Sequence, residues 1–271
     1  MVRVLNLHSI QCSMNPYTYS PEVQIYELKK VDLKGATVID GFPSVGLVSS
    51  IVANYIVNTL NLEQIAIMDS PHFPALSLIK NSEPCSPVRI YANRKKEHDG
   101  EQIVVFISEF QPPENLIKPI ARALIDWSQD ERCSRIISPE GVIPNTEENG
   151  EGEKKEVYGI SSTQSGRKIL KDVDISGFDE GVITGVAGVL LNEGKKRDFD
   201  VIALLAEANP EYPDARAAGN IIKTMDRMFL HIDIDPQPLF AKAEEIEKEI
   251  KKINKAASVN KEKAPNSSMY I

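Results

Sequence analysis

Ala36-Thr37-Val38-Ile39-Asp40-Gly41-Phe42-Pro43-Ser44-Val45-Gly46-Leu47-Val48 is the stretch from which the fold is read. Ala36–Asp40 is a short apolar run, the length of a buried strand. Glycine and proline then punctuate the chain. From Ser44 to Leu60 the apolar residues return on a helical period. A strand, a tight loop and a helix in immediate succession are the opening unit of an α/β sheet. Gly41 and Gly46 have the spacing of a phosphate-binding loop, but that chemistry needs Lys and then Ser or Thr directly afterwards. Leu47 and Val48 occupy those places, so a nucleoside-triphosphate site is not expected. A helix N-terminus retains some capacity for an anion. The plainer reading is a turn that lets the helix pack closely on the sheet.

Working outward, the alternation continues. Glu22–Leu28, Gln64–Asp69, Val88–Arg94, Gln102–Glu109 and Ser134–Val142 read as strands. The polar stretch Lys95–Glu101 makes the middle pair a hairpin candidate. Val201–Ala206 is a continuous apolar run, as in a parallel strand covered on both faces. Pro113–Asp130 and Pro213–Leu230 read as helices, the first with proline at its start, where the missing N–H costs nothing. In Gly181-Val-Ile-Thr-Gly185-Val-Ala-Gly188 the glycines miss the dinucleotide spacing, and small residues at that interval favour close helix packing. Asn145–Glu156 is Glu-rich and reads as a solvated loop. The expectation is a three-layer αβα fold with a central, largely parallel mixed sheet, a C-terminal helix and a flexible tail.

Four segments follow: an irregular N-terminal segment (1–21), an α/β domain (22–235), a C-terminal helix (236–257) and a tail (258–271). In Pro238–Ala257 the apolar positions Leu239, Ala243, Ile246, Ile250, Ile253 and Ala257 form one narrow seam. It fits either docking on its own domain or an intersubunit contact. Residues 258–268 are polar and read as a mobile tether, with a reach of about 36–40 Å when extended.

The 271 residues carry 31 Lys and Arg against 39 Asp and Glu, a net charge of −8, which argues against nucleic acid as a partner. No apolar run is long enough to cross a membrane. Met1–Leu5 is soon broken by polar residues and does not read as a signal peptide. Cys12, Cys85 and Cys133 are too widely spaced to suggest a disulfide framework or a zinc site, and the four histidines lack metal-ligand spacing. No cofactor, metal ligand or catalytic residue is expected from these motifs. Carboxylates do gather at strand ends: Asp40, Asp69, Glu109, Glu140 and Glu207. That edge is the usual ligand crevice of an open α/β sheet, so Glu109, Glu140 and Glu207 support an alternative reading as a nucleotide- or nucleoside-processing enzyme. The competing explanation is that such acids cap helices and bond loop N–H groups.

The ending Met269-Tyr270-Ile271 has the chemistry of a docking peptide. Methionine fills irregular apolar gaps, tyrosine couples a rigid ring to a hydrogen-bonding tip, and a terminal carboxylate pairs with a cation. It resembles the HbYX motif (hydrophobic residue, tyrosine, any residue). Asp40–Val48, Gly181–Leu191, and Leu204–Glu207 with Tyr212–Ala218 resemble in order the Gly-rich segments of the archaeal proteasome-assembly-chaperone family, over about residues 22–255. The resemblance implies an αβα fold, a homo-oligomer and no ATP hydrolysis, and the composition above leads to the expectation of a cytoplasmic protein. It also implies that Met269, Tyr270 and Ile271 bind pockets between α-subunits of the 20S proteasome. The family pattern leaves Met1–Ser20 unexplained.

Overall fold

Thr37–Gly41 is buried at every residue, so this strand needs partners on both edges and cover on both faces. The computed structural model, which describes residues 22–93, 101–143, 157–231 and 234–244, supplies them. In chain order the elements are β1 (Gln24–Glu27), β2 (Thr37–Gly41), α1 (Val48–Thr59), β3 (Glu63–Asp69), β4 (Leu78–Lys80), β5 (Glu83–Cys85), β6 (Val88–Ala92) and β7 (Ile103–Ser108). Then come α2 (Glu114–Asp130), β8 (Arg135–Val142), β9 (Tyr158–Ser161), α3 (Gln164–Asp172), β10 (Ser176–Gly177), α4 (Gly185–Arg197), β11 (Val201–Glu207) and α5 (Ala215–Met225).

Nine strands form one sheet in the order β1-β3-β6-β7-β2-β8-β11-β9-β10. Its centre, β7-β2-β8-β11, is parallel. The pairs β1-β3, β3-β6, β6-β7 and β11-β9 are antiparallel, and β9-β10 is parallel. Side chains alternate across β2, so Ile39 joins an apolar layer with Val52 and Ile56 of α1 and Ile221 and Ile222 of α5. Val38 joins the opposite layer with Leu116, Ile120 and Leu124 of α2 and Leu190 of α4. The expected three-layer αβα architecture with a mixed sheet is therefore observed, the sheet being parallel in its centre and mainly antiparallel outside it.

Each central strand read from the sequence is present, and β6 and β7 form the expected antiparallel pair from Val88↔Ser108 to Ala92↔Val104. Most of Lys95–Glu101 and all of Asn145–Glu156 lie outside the described residues. The helix expected from Ser44 begins at Val48 instead, because Val45–Leu47 is a 3-10 turn with Gly46 and Leu47 both left-handed, at φ +61° and +52°. Pro113 sits one position earlier than expected, as the extended residue preceding α2. The helix expected from Pro213 starts at Ala215, capped by Asp214, whose carboxylate accepts the Ala217 N–H at 3.0 Å. It runs on into a π turn over Asp226–Leu230. The glycine-spaced segment yields α4 only from Gly185. Gly188 packs against the lead-in loop, where a Cβ would stand 2.2 Å from the Ile183 carbonyl oxygen, and not against a neighbouring helix.

Beyond the π turn, residues 237–244 are helical. Leu239 and Ala243, the first two seam positions, are buried, and Leu239 belongs to the α1/α5 layer. The Phe240 ring lies over Gly219 of α5. This part of the seam docks on its own domain, and Ile246, Ile250, Ile253 and Ala257 lie outside the described residues.

Candidate functional site

The parallel strands β7, β2, β8 and β11 end at one edge, and four of the acids named from the sequence lie at or just beyond those ends. Asp40, in β2, is fully buried. Its Oδ2 accepts the Ser138 hydroxyl at 2.7 Å and its Oδ1 accepts the Phe42 N–H at 3.1 Å. Burial outweighs these two bonds and lifts the carboxyl group from 3.8 to about 6. Glu140 follows Ser138 on the adjacent strand β8 and is half-buried. Burial first, and then the charge of Asp40, push it well above the usual carboxylate range, against hydrogen bonds with Ser49 and Ser138.

Three serines complete this cluster. Ser49, in the first turn of α1, gives its hydroxyl to Ser44 Oγ at 2.6 Å. Ser44 Oγ also accepts the Ser49 N–H at 3.2 Å and the Gly141 N–H at 3.3 Å. The loop after β2 is thus bonded across to the end of β8. Close packing allows this. A Cβ on Gly141 would stand 2.0 Å from the Val45 carbonyl oxygen, and one on Gly41 would stand 2.3 Å from that of Phe106. Gly46 packs on the loop before α5, where its carbonyl accepts the Asp214 N–H at 2.8 Å. These glycines are committed to contacts between backbones, in agreement with the packing reading of Gly41–Gly46.

The other acids are placed differently. Glu109, beyond β7, forms an ion pair with the fully buried Arg89 and stands 3.9 Å from Lys80 Nζ. Arg89 also donates to the Ser86 carbonyl at 2.7 Å and to the Tyr91 hydroxyl at 2.8 Å. Asp69 is exposed at the end of β3. Glu207 ends β11 beside Val142. The carboxylate acting on Glu140 is Asp40, not Glu109 or Glu207. Of the trio in the enzyme reading, Glu109 is engaged by cations and Glu140 by a partner outside the trio.

Sequence reasoning found Asp40 and Glu140 but not Ser44, Ser49 and Ser138. The available signal was a hydroxyl residue inside the otherwise apolar start of β8 and two more flanking the glycine loop. Met269, Tyr270 and Ile271 lie outside the described residues.

The model of the PAC2 family matches residues 38–254, which take in the whole of this edge. The chain belongs to the PAC2 family. Among the solved structures similar to this chain is PbaA of Pyrococcus furiosus, described as an archaeal homolog of proteasome-assembly chaperone. It is 27% identical, with a TM-score of 0.75 over 89% of this chain and 95% of PbaA. PbaB of the same organism, described as an archaeal proteasome activator, shares the fold at 23% identity. Its TM-score is 0.72 over 86% of this chain and 99% of PbaB. An uncharacterized protein of Methanocaldococcus jannaschii is 28% identical over 232 residues, which is 85% of this chain and 90% of that protein.

Proposed function

We propose that this PAC2 protein is a non-enzymatic, proteasome-associated binding protein that docks Met269-Tyr270-Ile271 into pockets between α-subunits of a 20S ring. The observation that carries the reading is its likeness, across most of both chains, to a protein described as an archaeal homolog of proteasome-assembly chaperone. Two features favour binding over catalysis. The signature glycines are occupied by packing, and Glu109 is tied to Arg89. In this account the α/β body forms a cytoplasmic homo-oligomer that works without ATP and carries several copies of the terminal peptide. Each copy binds weakly, and linkage raises the effective concentration of the rest. Met269 fills an apolar gap, Tyr270 adds rigid area and a hydrogen bond, and the carboxylate of Ile271 meets a lysine or arginine.

The test is co-purification of the full chain with proteasome α-subunits. The unaltered chain is expected to retain them. Tyr270→Ala, and separately one residue added after Ile271, are expected to abolish retention while leaving the melting temperature unchanged. Retention indifferent to both changes rejects the docking mechanism.

A further inference from the structure

The helix 237–244 runs toward the edge where β2, β8 and β11 end. Asp235, just before it, accepts the hydroxyl of Tyr55, the eighth residue of α1, at 2.6 Å. The Phe240 ring lies over Gly219, the fifth residue of α5. Both α1 and α5 start at that edge and run away from it. Gly219 is four residues inside the start of α5, and Glu244 is four residues beyond Phe240, so the helix comes level with the edge near Glu244. Leu239 and Ala243 are buried on the body. The seam positions Ile246, Ile250, Ile253 and Ala257 keep the same spacing. A continued helix carries Ile250 about 9 Å and Ala257 about 20 Å past Glu244, beyond the α1/α5 layer. From Ile250 to Ala257 the chain holds Lys251, Lys252 and Lys255 and no acid.

The edge has the complementary character. Leu47 is 44% and Ile143 64% exposed. They flank one close contact, between Val45 and Gly141, which lie two residues before each. Glu140 and Glu207 are half-buried at the ends of β8 and β11, and Glu211 is exposed beyond β11. The Asp214 carboxylate is taken up by the Asn209 and Ala217 N–H groups, and Arg216 is a cation in the first turn of α5. Lys80 and Arg89, farther along the edge, are directed to Glu109.

We propose that residues 246–257 of one copy lie on this edge of a second copy, with Ile250 and Ile253 against Leu47 and Ile143 and the lysines toward the acids. Apolar side chains on both surfaces leave water, and opposite charges set the orientation. A helix leaving its own edge cannot turn back onto it, so the receiving edge belongs to another copy. The giving and receiving surfaces differ, so the contact is head-to-tail and each copy both gives and receives. The contact rests on the homo-oligomer proposed above and supplies its surface; it is independent of the terminal tripeptide.

Crosslinking between co-expressed full chains tests it. All copies carry Cys12→Ser, Cys85→Ser and Cys133→Ala; one adds Ile143→Cys and the other Ile250→Cys, and a short bismaleimide joins thiols that lie together. A product joining the two different chains is expected, and it is expected to persist when Tyr270→Ala is added to both. By native mass spectrometry the unaltered chain is expected to be oligomeric. Lys251→Glu with Lys252→Glu, which alters no residue of the α/β body, is expected to raise the concentration for half-assembly at least tenfold. A monomeric unaltered chain overturns the proposal. So does the absence of a mixed product, an Ile250→Cys chain that crosslinks to itself instead, or an assembly indifferent to the lysine changes. A mixed product in a chain that retains no proteasome α-subunits supports this contact and rejects only the docking of the terminal peptide.

Discussion

Glu109 and the Asp40–Glu140 pair end neighbouring strands of one sheet, yet they are opposite electrostatic objects. Glu109 is about a quarter exposed and meets a fully buried arginine and a lysine. Asp40 is fully buried against the Ser138 hydroxyl, and burial raises both it and Glu140 above the usual carboxylate range. A carboxylate beside a cation is held in its charged form, whereas burial favours the neutral form. The flank of the edge is therefore pinned by an ion pair that fastens the β4–β5 side of the molecule. The centre is pinned by close backbone packing and by hydrogen bonds of serine hydroxyl groups. An acid at the end of a strand does not by itself mark catalytic chemistry; its partner decides.

The most severe test of this contrast is Gly141→Ala. A methyl group there would stand 2.0 Å from the Val45 carbonyl oxygen, and backbone cannot yield as a side chain tip can. A loss of about 3 kcal/mol or more is expected, measured by denaturant unfolding. A cost below 1 kcal/mol would show that the loop does not rest on β8. Next is Arg89→Met, which strands Glu109 and frees the Ser86 carbonyl and Tyr91 hydroxyl from their donor. The expected cost is about 3 kcal/mol, with partial recovery when Glu109→Gln is added. A double variant no better than the single would deny that the ion pair pins the flank.

These differences were only partly legible beforehand. The apolar runs of β2 and β11, and the β6–β7 hairpin, were clear because each shows uninterrupted or alternating burial. The stretch from Tyr158 to Gly177 was missed. Its strands have four and two residues, and α3 buries only Gly166 and Leu170 among charged neighbours. The β4–β5 hairpin was missed because its residues are exposed or half-exposed and Pro84 breaks the pattern. Asp40 and Glu140 could be named as strand-end acids. The bond from Ser138 to Asp40 could not, because it joins residues 98 positions apart. The partners of Arg89 were hidden likewise, since β6 and β7 had to pair before it could meet Glu109.

Acid–base titration of stability sharpens the comparison through its sign. Asp40 and Glu140 are raised, so folding takes up protons there. Their stabilisation is fully present below the ordinary carboxylate value and is lost as the pH rises, for Asp40 through about 6. Glu193 behaves oppositely. Burial alone would raise it, but Lys196, Arg122 and Arg197 hold it below the ordinary value. Its stabilisation is present above that ordinary value and is lost as the pH falls through the lowered one. Melting temperatures from pH 3 to 8 are expected to show Glu140→Gln flattening the alkaline decline and Glu193→Gln flattening the acid decline. Equal slopes in both variants and the unaltered chain would erase the distinction.

The smallest expected effect on stability carries the largest on function. Tyr270→Ala should leave the pH profile and melting temperature of the body unchanged. The direct measurement is the dissociation constant of the full chain for assembled proteasome α-rings, compared with that of Tyr270→Ala. Tight binding is expected for the first and at least a hundredfold loss for the second. Equal affinities would contradict it.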